Sequence, residues 1–592
     1  MALVNVAPFG RTLQAEKGEN LLFVLTREGI LLESYCGGRG SCGKCVVRIL
    51  EGKVSPSTAE EKKHLRGRIA EGFRLACQVV LLGDVACDVS SSLSGGPAVV
   101  FATQSEPEKV SLEDSPVKRR VLEVKKPELY SLTSLKEEVE KEIHCSFWER
   151  EALSGLALLG GEDSALLEIF QDEGSVFCAH IPPGEAFLGV AFDLGTTTVA
   201  CELVDLSSGK TLLREGALNR QARFGADVIS RLRAIQDDPQ NLEKLQKDVV
   251  ETMNDLIRIL CRRTGHDPLR VLSLVVAGNT IMEHLFLGLS PLSIGVSPYV
   301  PVTREAFSLR AKDLGLCVSP SAPVYVFPVV AGYVGGDIVA GAGAFDVHKR
   351  GKVTLYVDVG TNGEIVLCKG EEMFACGTAA GPAFEGAGVR FGMRAEEGAI
   401  NAVYFEDKGL RYTTIGGVPP RGICGTGLLD VLAGLVALGL LTPAGRLQKR
   451  AEWSSFFERE DDEEAFVVSW DPFIPVTQRD IEKLQLALAA MKAGRDILLR
   501  EAGLREEAIE EVILAGAFGS YIRPESARAL GLIPSLGVAY SVGNASLLGA
   551  RRALLSLKFR QKVEYLARRV HYIELSARRD FEDRFVEALI FH

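Results

Sequence analysis

The chain of 592 residues contains no apolar run long enough to cross a bilayer. Its most apolar stretch, Leu428 to Leu441, carries Asp430 and reads as a core helix. Positive charge is not in excess. A formal net charge of −11 argues against nucleic acid and against an anionic membrane surface as partners. No secretory signal is recognisable, so the 13 cysteines are expected in a reducing cytoplasm, mostly as buried thiols rather than disulfides. No G-x4-G-K-(S/T) motif occurs, which excludes a Walker-type phosphate loop. A structural zinc would favour two separated C-x2-C pairs, and the chain has one, Cys42 and Cys45. What remains is an ordinary soluble composition, 47% hydrophobic and 24% charged, in a chain too long for one core.

The densest chemistry is Cys36-Gly-Gly-Arg-Gly-Ser-Cys42-Gly-Lys-Cys45, followed at a distance by Cys77 in Arg74-Leu-Ala-Cys77-Gln-Val. Four thiolates in a three-plus-one arrangement suit a two-iron, two-sulfur (2Fe-2S) cluster. The intervening glycines permit positive φ and a close backbone approach, so that peptide N–H groups point at the cluster sulfurs. The first gap is one residue longer than the plant-type C-x4-C-x2-C spacing. That longer gap resembles the adrenodoxin-like branch of ferredoxins, which implies a β-grasp fold for residues 1–90. The Arg-Leu-Ala-Cys-Gln context resembles ferredoxins at Cys77, and Cys87 stands as the alternative fourth ligand.

Within that first domain Val4–Ala7 alternates like a strand, and Glu19 to Leu31 carries helical spacing. Val46–Leu50 reads as a strand with Gly52 as its stop. Residues 91–117 turn to Ser, Gly, Pro, Glu and Asp and read as a linker. As a flexible chain it spans roughly 25–30 Å, enough for the cluster domain to visit more than one docking site. A loop packed on the neighbouring domain is the other reading. Residues 118–188 form a small α+β module, with helices expected over Ser134–Ile143 and Ser146–Leu159 and a strand from Ser175. His144, Cys145, Cys178 and His180 in this module match no metal-site template.

Residues 189–592 contain an internal echo. Gly189-Val-Ala-Phe-Asp193-Leu-Gly195-Thr196-Thr197-Thr198 recurs as Leu355-Tyr-Val-Asp358-Val-Gly360-Thr361-Asn362-Gly363. A second pair follows: Leu274-Val-Val-Ala277-Gly278-Asn279 and Val512-Ile-Leu-Ala515-Gly516-Ala517-Phe518-Gly519. Duplication of this kind predicts two α/β halves facing each other across a cleft. Tight Gly/Thr hairpins expose N–H groups and hydroxyls that wrap phosphate oxygens. An Asp at each strand end is placed to hold Mg²⁺, mostly through water, or to orient an attacking water. Gly516 leaves room for a flat base or ribose. Gly425-Thr426-Gly427, opening an apolar helix, offers an anion-favouring N-terminus. The paired hairpins resemble the superfamily of acetate and sugar kinases, heat-shock ATPases and actin. The resemblance implies ATP as ligand, Asp193 and Asp358 as the catalytic pair, and Ala515–Gly519 as the adenosine loop, where the superfamily prefers a Gly-Gly pair.

A ferredoxin domain fused through a small module to an actin-like (ASKHA-type) ATPase is a narrow combination. The whole chain, by these landmarks, resembles the reductive activators of corrinoid proteins. That resemblance implies an electron passing from the cluster to an inactive cobalt(II) corrinoid, regenerating cobalt(I) at the expense of ATP. It also implies an external low-potential electron donor and a homodimer. Relatives with C-terminal four-iron clusters are a different variant, since no cysteine follows Cys424. Two other classes fit the same parts: an ATP-dependent activator of another low-potential enzyme, and a small-molecule kinase with a redox-sensing domain. An uphill gap of roughly 0.2 V needs about 5 kcal/mol, which explains why electron carrier and ATPase share one chain.

Overall fold

A computed structural model describes residues 2–28, 30, 32, 38, 40, 43–90, 111, 114–128, 130–159, 164–172, 174–180, 186–225, 227–360, 362–386, 388–406, 409–460, 462–516 and 522–591. Among the described residues the N-terminal strands form one mixed sheet in the order Arg11–Ala15, Ala2–Ala7, Leu81–Asp88, Val46–Val54, Phe73–Leu75. Strict alternation in Ala2–Ala7 buries Ala2, Val4 and Val6, and Val4 and Val6 share a core with helix Leu21–Arg27. Asn20 caps that helix by accepting from the Leu22 N–H at 3.0 Å. The strand after the cysteine loop does not stop at Gly52 but runs on to Val54. Gly52 is instead the bulge that lets it continue. Its φ is +112°, and a Cβ there would lie 2.1 Å from the Asp84 carbonyl oxygen, so only glycine fits.

The following module is a four-stranded sheet, Lys118–Lys125, Ser164–Asp172, Ser175–His180 and Phe147–Trp148. Its helices are shorter than the pattern predicts, Leu135–Glu140 and Arg150–Leu156. Phe147 and Trp148 pair with Ser175 and Val176 instead, which draws the start of the second expected helix into the sheet. The linker assignment falls mostly outside the described residues, but its C-terminal end is packed. Asp114 accepts from Ser556 Oγ at 2.5 Å and from the Lys558 N–H at 2.9 Å, pinning the chain at the start of helix Leu557–Arg569.

The remaining chain repeats one topology. In the first half, strand Leu188–Leu194 pairs antiparallel with Thr198–Asp205 and parallel with Val271–Gly278. In the second, Val353–Val359 pairs antiparallel with Gly363–Lys369 and parallel with Glu511–Ala515. Both sheets have six strands among the described residues. Each central strand is buried on both faces, which is why it reads as a near-continuous apolar run. Two helices, Gly336–Ala344 and Ala545–Leu555, follow the last central strand of their halves and cross between the sheets. They approach through small residues: a Cβ on Gly549 would lie 2.2 Å from the Ala340 carbonyl oxygen, and one on Gly341 would lie 3.1 Å from the Ala545 Cβ. The apolar run at Leu428 belongs to the buried helix Gly425–Ala437. Its Asp430 is satisfied by Arg523, Ser526 and the Val403 N–H. No helix among the described residues is long and apolar enough to cross a membrane.

Candidate functional site

The first hairpin is held from behind by residues the sequence motif does not contain. Asn219 donates through Nδ2 to the Gly195 carbonyl at 3.1 Å, and its N–H reaches the Thr197 carbonyl at 2.9 Å. Arg231, fully buried, donates to the Thr196 carbonyl at 2.5 Å, and burial pushes its guanidinium down to about 9. These contacts satisfy the hairpin carbonyls from behind. Thr197 Oγ1 donates across the cleft to Glu385 Oε2 at 3.0 Å. Thr198 opens the return strand opposite Leu218.

Asp193 ends the Leu188–Leu194 strand and is met by the other half. Asn544 Nδ2 donates to it at 2.7 Å and Ser546 Oγ at 2.8 Å, both from the N-terminus of helix Ala545–Leu555. Burial raises its pKa, and the Ser546 and Asn544 hydrogen bonds oppose that rise. Asp358 ends the equivalent strand and accepts one longer hydrogen bond, from Tyr356 at 3.3 Å. Burial, then the charge of Asp193, pushes Asp358 up to about 7. Asp337, in the first turn of helix Gly336–Ala344, is pushed up to about 8 by burial and by Asp358 and Asp193. Glu364 is raised by burial, Asp337 and Asp358, and Glu283 by burial and Asp337. Five carboxyls from both halves thus share one partly enclosed cleft and repel one another, an environment that a divalent cation would relieve. They do not sit close enough for a preformed metal-ligand set among the described residues.

The second hairpin closes through Gly360 N–H to the Asn362 carbonyl at 3.0 Å, and the Gly363 carbonyl accepts from Thr378 at 2.9 Å. Thr361 lies outside the described residues, as do Ala517 and Phe518. Gly516 has φ +96°, and a Cβ there would lie 2.4 Å from the Val359 carbonyl oxygen and 2.6 Å from Asp358 Oδ1. The pressure on this glycine in the structure therefore comes from the Asp358 strand end. The Gly425–Gly427 turn is buried, and Thr426 Oγ1 donates to the Asn401 carbonyl at 2.8 Å, so its hydroxyl is already engaged.

At the N-terminal end Cys36 and Cys42 lie outside the described residues. Cys45 and Cys77 are buried side by side, joined by the Ala76 N–H to the Cys45 carbonyl at 2.8 Å. Gln78 Nε2 donates to the Gly38 carbonyl at 2.9 Å and approaches Cys77 Sγ at 3.7 Å. A Cβ on Gly40 would press on the Gln78 side chain at 2.9 Å, so Gly38 and Gly40 lie against the residue next to Cys77. Asn20 Nδ2 donates to the Cys77 carbonyl at 2.9 Å. Two buried thiols under a glycine loop fit a thiolate-held cluster. Cys87 faces the apolar core, pairs in register with Ile49, and burial pushes its thiol up to about 12. In the small module Cys178 and His180 meet at 3.2 Å, and no third metal donor joins them among the described residues.

Sequence reading missed Asn544, Ser546, Asn219, Arg231, Asp337, Glu283 and Glu364. One signal was present: Val334-Gly335-Gly336-Asp337 echoes Val542-Gly543-Asn544-Ala545, each ahead of its crossing helix.

Comparison with known proteins agrees with this architecture. Residues 4–82 match the 2Fe-2S iron-sulfur cluster binding domain, residues 188–350 the RACo middle region, and residues 352–592 the C-terminal domain of RACo, the ASKHA domain. The matched middle region is therefore the first half of the duplicated part, not the 118–188 module. The chain is a ferredoxin-type cluster domain joined to an ASKHA-type, ATP-binding domain. It is 30% identical over 582 residues to the corrinoid activation enzyme RamQ of Eubacterium limosum, covering 94% of this chain and 93% of RamQ. It is 26% identical over 416 residues to the [Co(II) methylated amine-specific corrinoid protein] reductase of Methanosarcina barkeri, covering 64% of this chain and 72% of that one. A solved structure, the reductive activator for corrinoid, iron-sulfur protein, superposes with a TM-score of 0.74 at 35% identity, covering 100% of this chain and 98% of that chain. The chain belongs to this family of reductive activators of corrinoid proteins.

Proposed function

We propose that the protein is an ATP-dependent reductive activator of a corrinoid protein, returning inactive cobalt(II) to methyl-accepting cobalt(I) by transfer of one electron. The observation that carries this reading is the likeness to RamQ along nearly the whole of both chains, with the cysteine loop and the carboxylate cleft on one polypeptide. When bound, the 2Fe-2S cluster supplies a single low-potential electron. Cys36, Cys42, Cys45 and Cys77 hold it, with Asn20 and Gln78 fixing the Cys77 side. Cys87→Ala then keeps the visible absorption of the reconstituted cluster, whereas Cys77→Ala loses it.

On the ATPase side, the hairpins Gly195–Thr198 and Gly360–Gly363 hold phosphate oxygens, and Ala517 and Phe518 belong to the adenosine side. Asp193 and Asp358 organise Mg²⁺ and water, while Asn544 and Ser546 aim the Asp193 carboxylate. Because these donors and Asp193 come from different halves, nucleotide binding alters how the halves sit. A client preferring one arrangement roughly 10⁴-fold would gain the several kcal/mol that an uphill electron transfer needs. Water attacks the terminal phosphate, ADP and phosphate leave, and the halves return. The cytoplasm, a homodimer and a separate low-potential donor complete the proposal. The test uses reduced holoprotein mixed with a cobalt(II) corrinoid protein, with and without MgATP, followed by visible spectroscopy. Cobalt(I) absorption that appears only with ATP supports the reading. Equal reduction without ATP makes the protein a plain ferredoxin and ends it.

A further inference from the structure

One contact between the cluster domain and the ATPase domain is made by the residue next to a cluster cysteine. Lys44, the residue before Cys45, donates through Nζ to the Arg390 carbonyl at 2.8 Å and the Gly392 carbonyl at 3.3 Å. Those carbonyls belong to a compact loop in the second half that follows the short turn Pro382–Glu385. The loop closes on itself: a Cβ on Gly392 would lie 2.2 Å from the Gly386 carbonyl oxygen, and one on Gly386 would lie 2.6 Å from Met393 N. It is further tied by the Arg390 N–H to buried Asp480 at 2.9 Å and by the Ile423 N–H to the Phe391 carbonyl at 2.8 Å. Next to Gly386 stands Glu385, which accepts the Thr197 hydroxyl of the first phosphate hairpin at 3.0 Å. A short physical path therefore joins Thr197, Glu385, the Gly386–Gly392 contact, Lys44 and Cys45.

We propose that Lys44 is a positioning residue for the cluster domain, and that the Glu385–Gly392 loop transmits phosphate occupancy of the first hairpin to it. The inference rests on the reading of Gly195–Thr198 as a phosphate loop. A threonine hydroxyl has one proton to donate, so a phosphate oxygen at the hairpin competes with Glu385 for it. The phosphate charge also repels the Glu385 carboxylate a few ångströms away. Either effect frees Glu385 from the opposite half and displaces the loop that carries the Lys44 acceptors. The cluster domain is held while the hairpin is empty and loosened when nucleotide arrives, which lets the electron carrier leave its seat only in the ATP state.

The experiment is hydrogen exchange by mass spectrometry on the full holoprotein, with and without a non-hydrolysable ATP analogue and Mg²⁺, with analogue binding measured separately by calorimetry. Expected is roughly tenfold faster exchange in peptides covering residues 43–47 and 386–393 on analogue binding, the size of losing one charge-assisted hydrogen bond. Glu385→Leu, which has no acceptor for the Thr197 hydroxyl, should show the fast 43–47 exchange without analogue. Lys44→Ala should also exchange fast at 43–47 in both states, with normal cluster absorption, and Lys44→Arg should restore the nucleotide response. Absence of calorimetric binding overturns the phosphate-loop reading itself. Binding that leaves exchange at 43–47 unchanged in the native protein overturns the coupling while leaving that reading intact.

Discussion

Two strand ends carry the same motif in different surroundings. Asp193 sits at the first hairpin, met by an amide and a hydroxyl from the opposite half. Asp358 sits at the second, with one hydrogen bond at 3.3 Å and the Asp193 charge as neighbour. The hairpins differ likewise: the first is braced by Asn219 and Arg231, while the second is closed by its own backbone and Thr378. Duplication thus produced two copies of one fold and two different carboxyls. The one with two donors is held nearer its ordinary carboxylate range, while burial and the Asp193 charge push the other up to about 7.

The sharpest way to break this contrast is to remove each carboxyl. Asp193→Ala and Asp358→Ala should each lower ATP-stimulated cobalt reduction by about 100-fold or more, measured as initial rates at saturating ATP. If Asp358→Asn is inert while Asp193→Asn is nearly normal, the proton-handling role belongs to Asp358. Equal loss in both would leave the two positions equivalent.

The next effect is a pH dependence of stability. Asp358 and Asp337 have folded pKa values raised to about 7 and about 8, above the ordinary carboxyl value of 3.8. The folded state therefore keeps protons that the unfolded chain has already released. The stabilisation is complete below pH of about 4 and is lost as pH rises through 7 and 8. This contribution predicts an apo thermal midpoint that declines over that window, a slope that Asp358→Asn reduces and Mg²⁺ with nucleotide offsets. A flat profile in the native protein would contradict the raised Asp358 and Asp337 pKa values.

Smaller is the effect of the Asp193 donors. Ser546→Ala should cost about 1–2 kcal/mol of stability by leaving a buried carboxylate oxygen unpaired, read by denaturant unfolding. The corresponding change at Tyr356, to Phe, should cost less, because its bond is longer. Smallest is Gln78→Leu at the far end of the chain. Loss of its weak N–H contact to the Cys77 sulfur should lower the cluster midpoint potential by about 40 mV, the equivalent of about 1 kcal/mol for one electron. Redox titration of the holoprotein measures it.

Local backbone chemistry made much of the molecule legible in advance. The cysteine loop, the two Asp-x-Gly-Thr hairpins and the apolar central strands are each written within ten or so consecutive residues. Spacing and glycine content carry their meaning without reference to the rest of the chain. Gly52 shows where that reading slips. A strand-ending glycine and a bulge glycine look alike until the partner strand is in place, and here the Asp84 carbonyl decides. Phe147 and Trp148 likewise carry helical spacing but are taken by a sheet edge.

Sequence alone determined the domain classes and the pair of strand-end aspartates, because each depends on short-range geometry and residue type. Only the tertiary structure decided which groups face those aspartates. Asn544 is 351 residues from Asp193, and Lys44 is 346 from Arg390. Their roles follow from how two sheets and a small domain pack. Electrostatics in a partly enclosed cleft depend on neighbours in space, and the order of residues along the chain does not specify them.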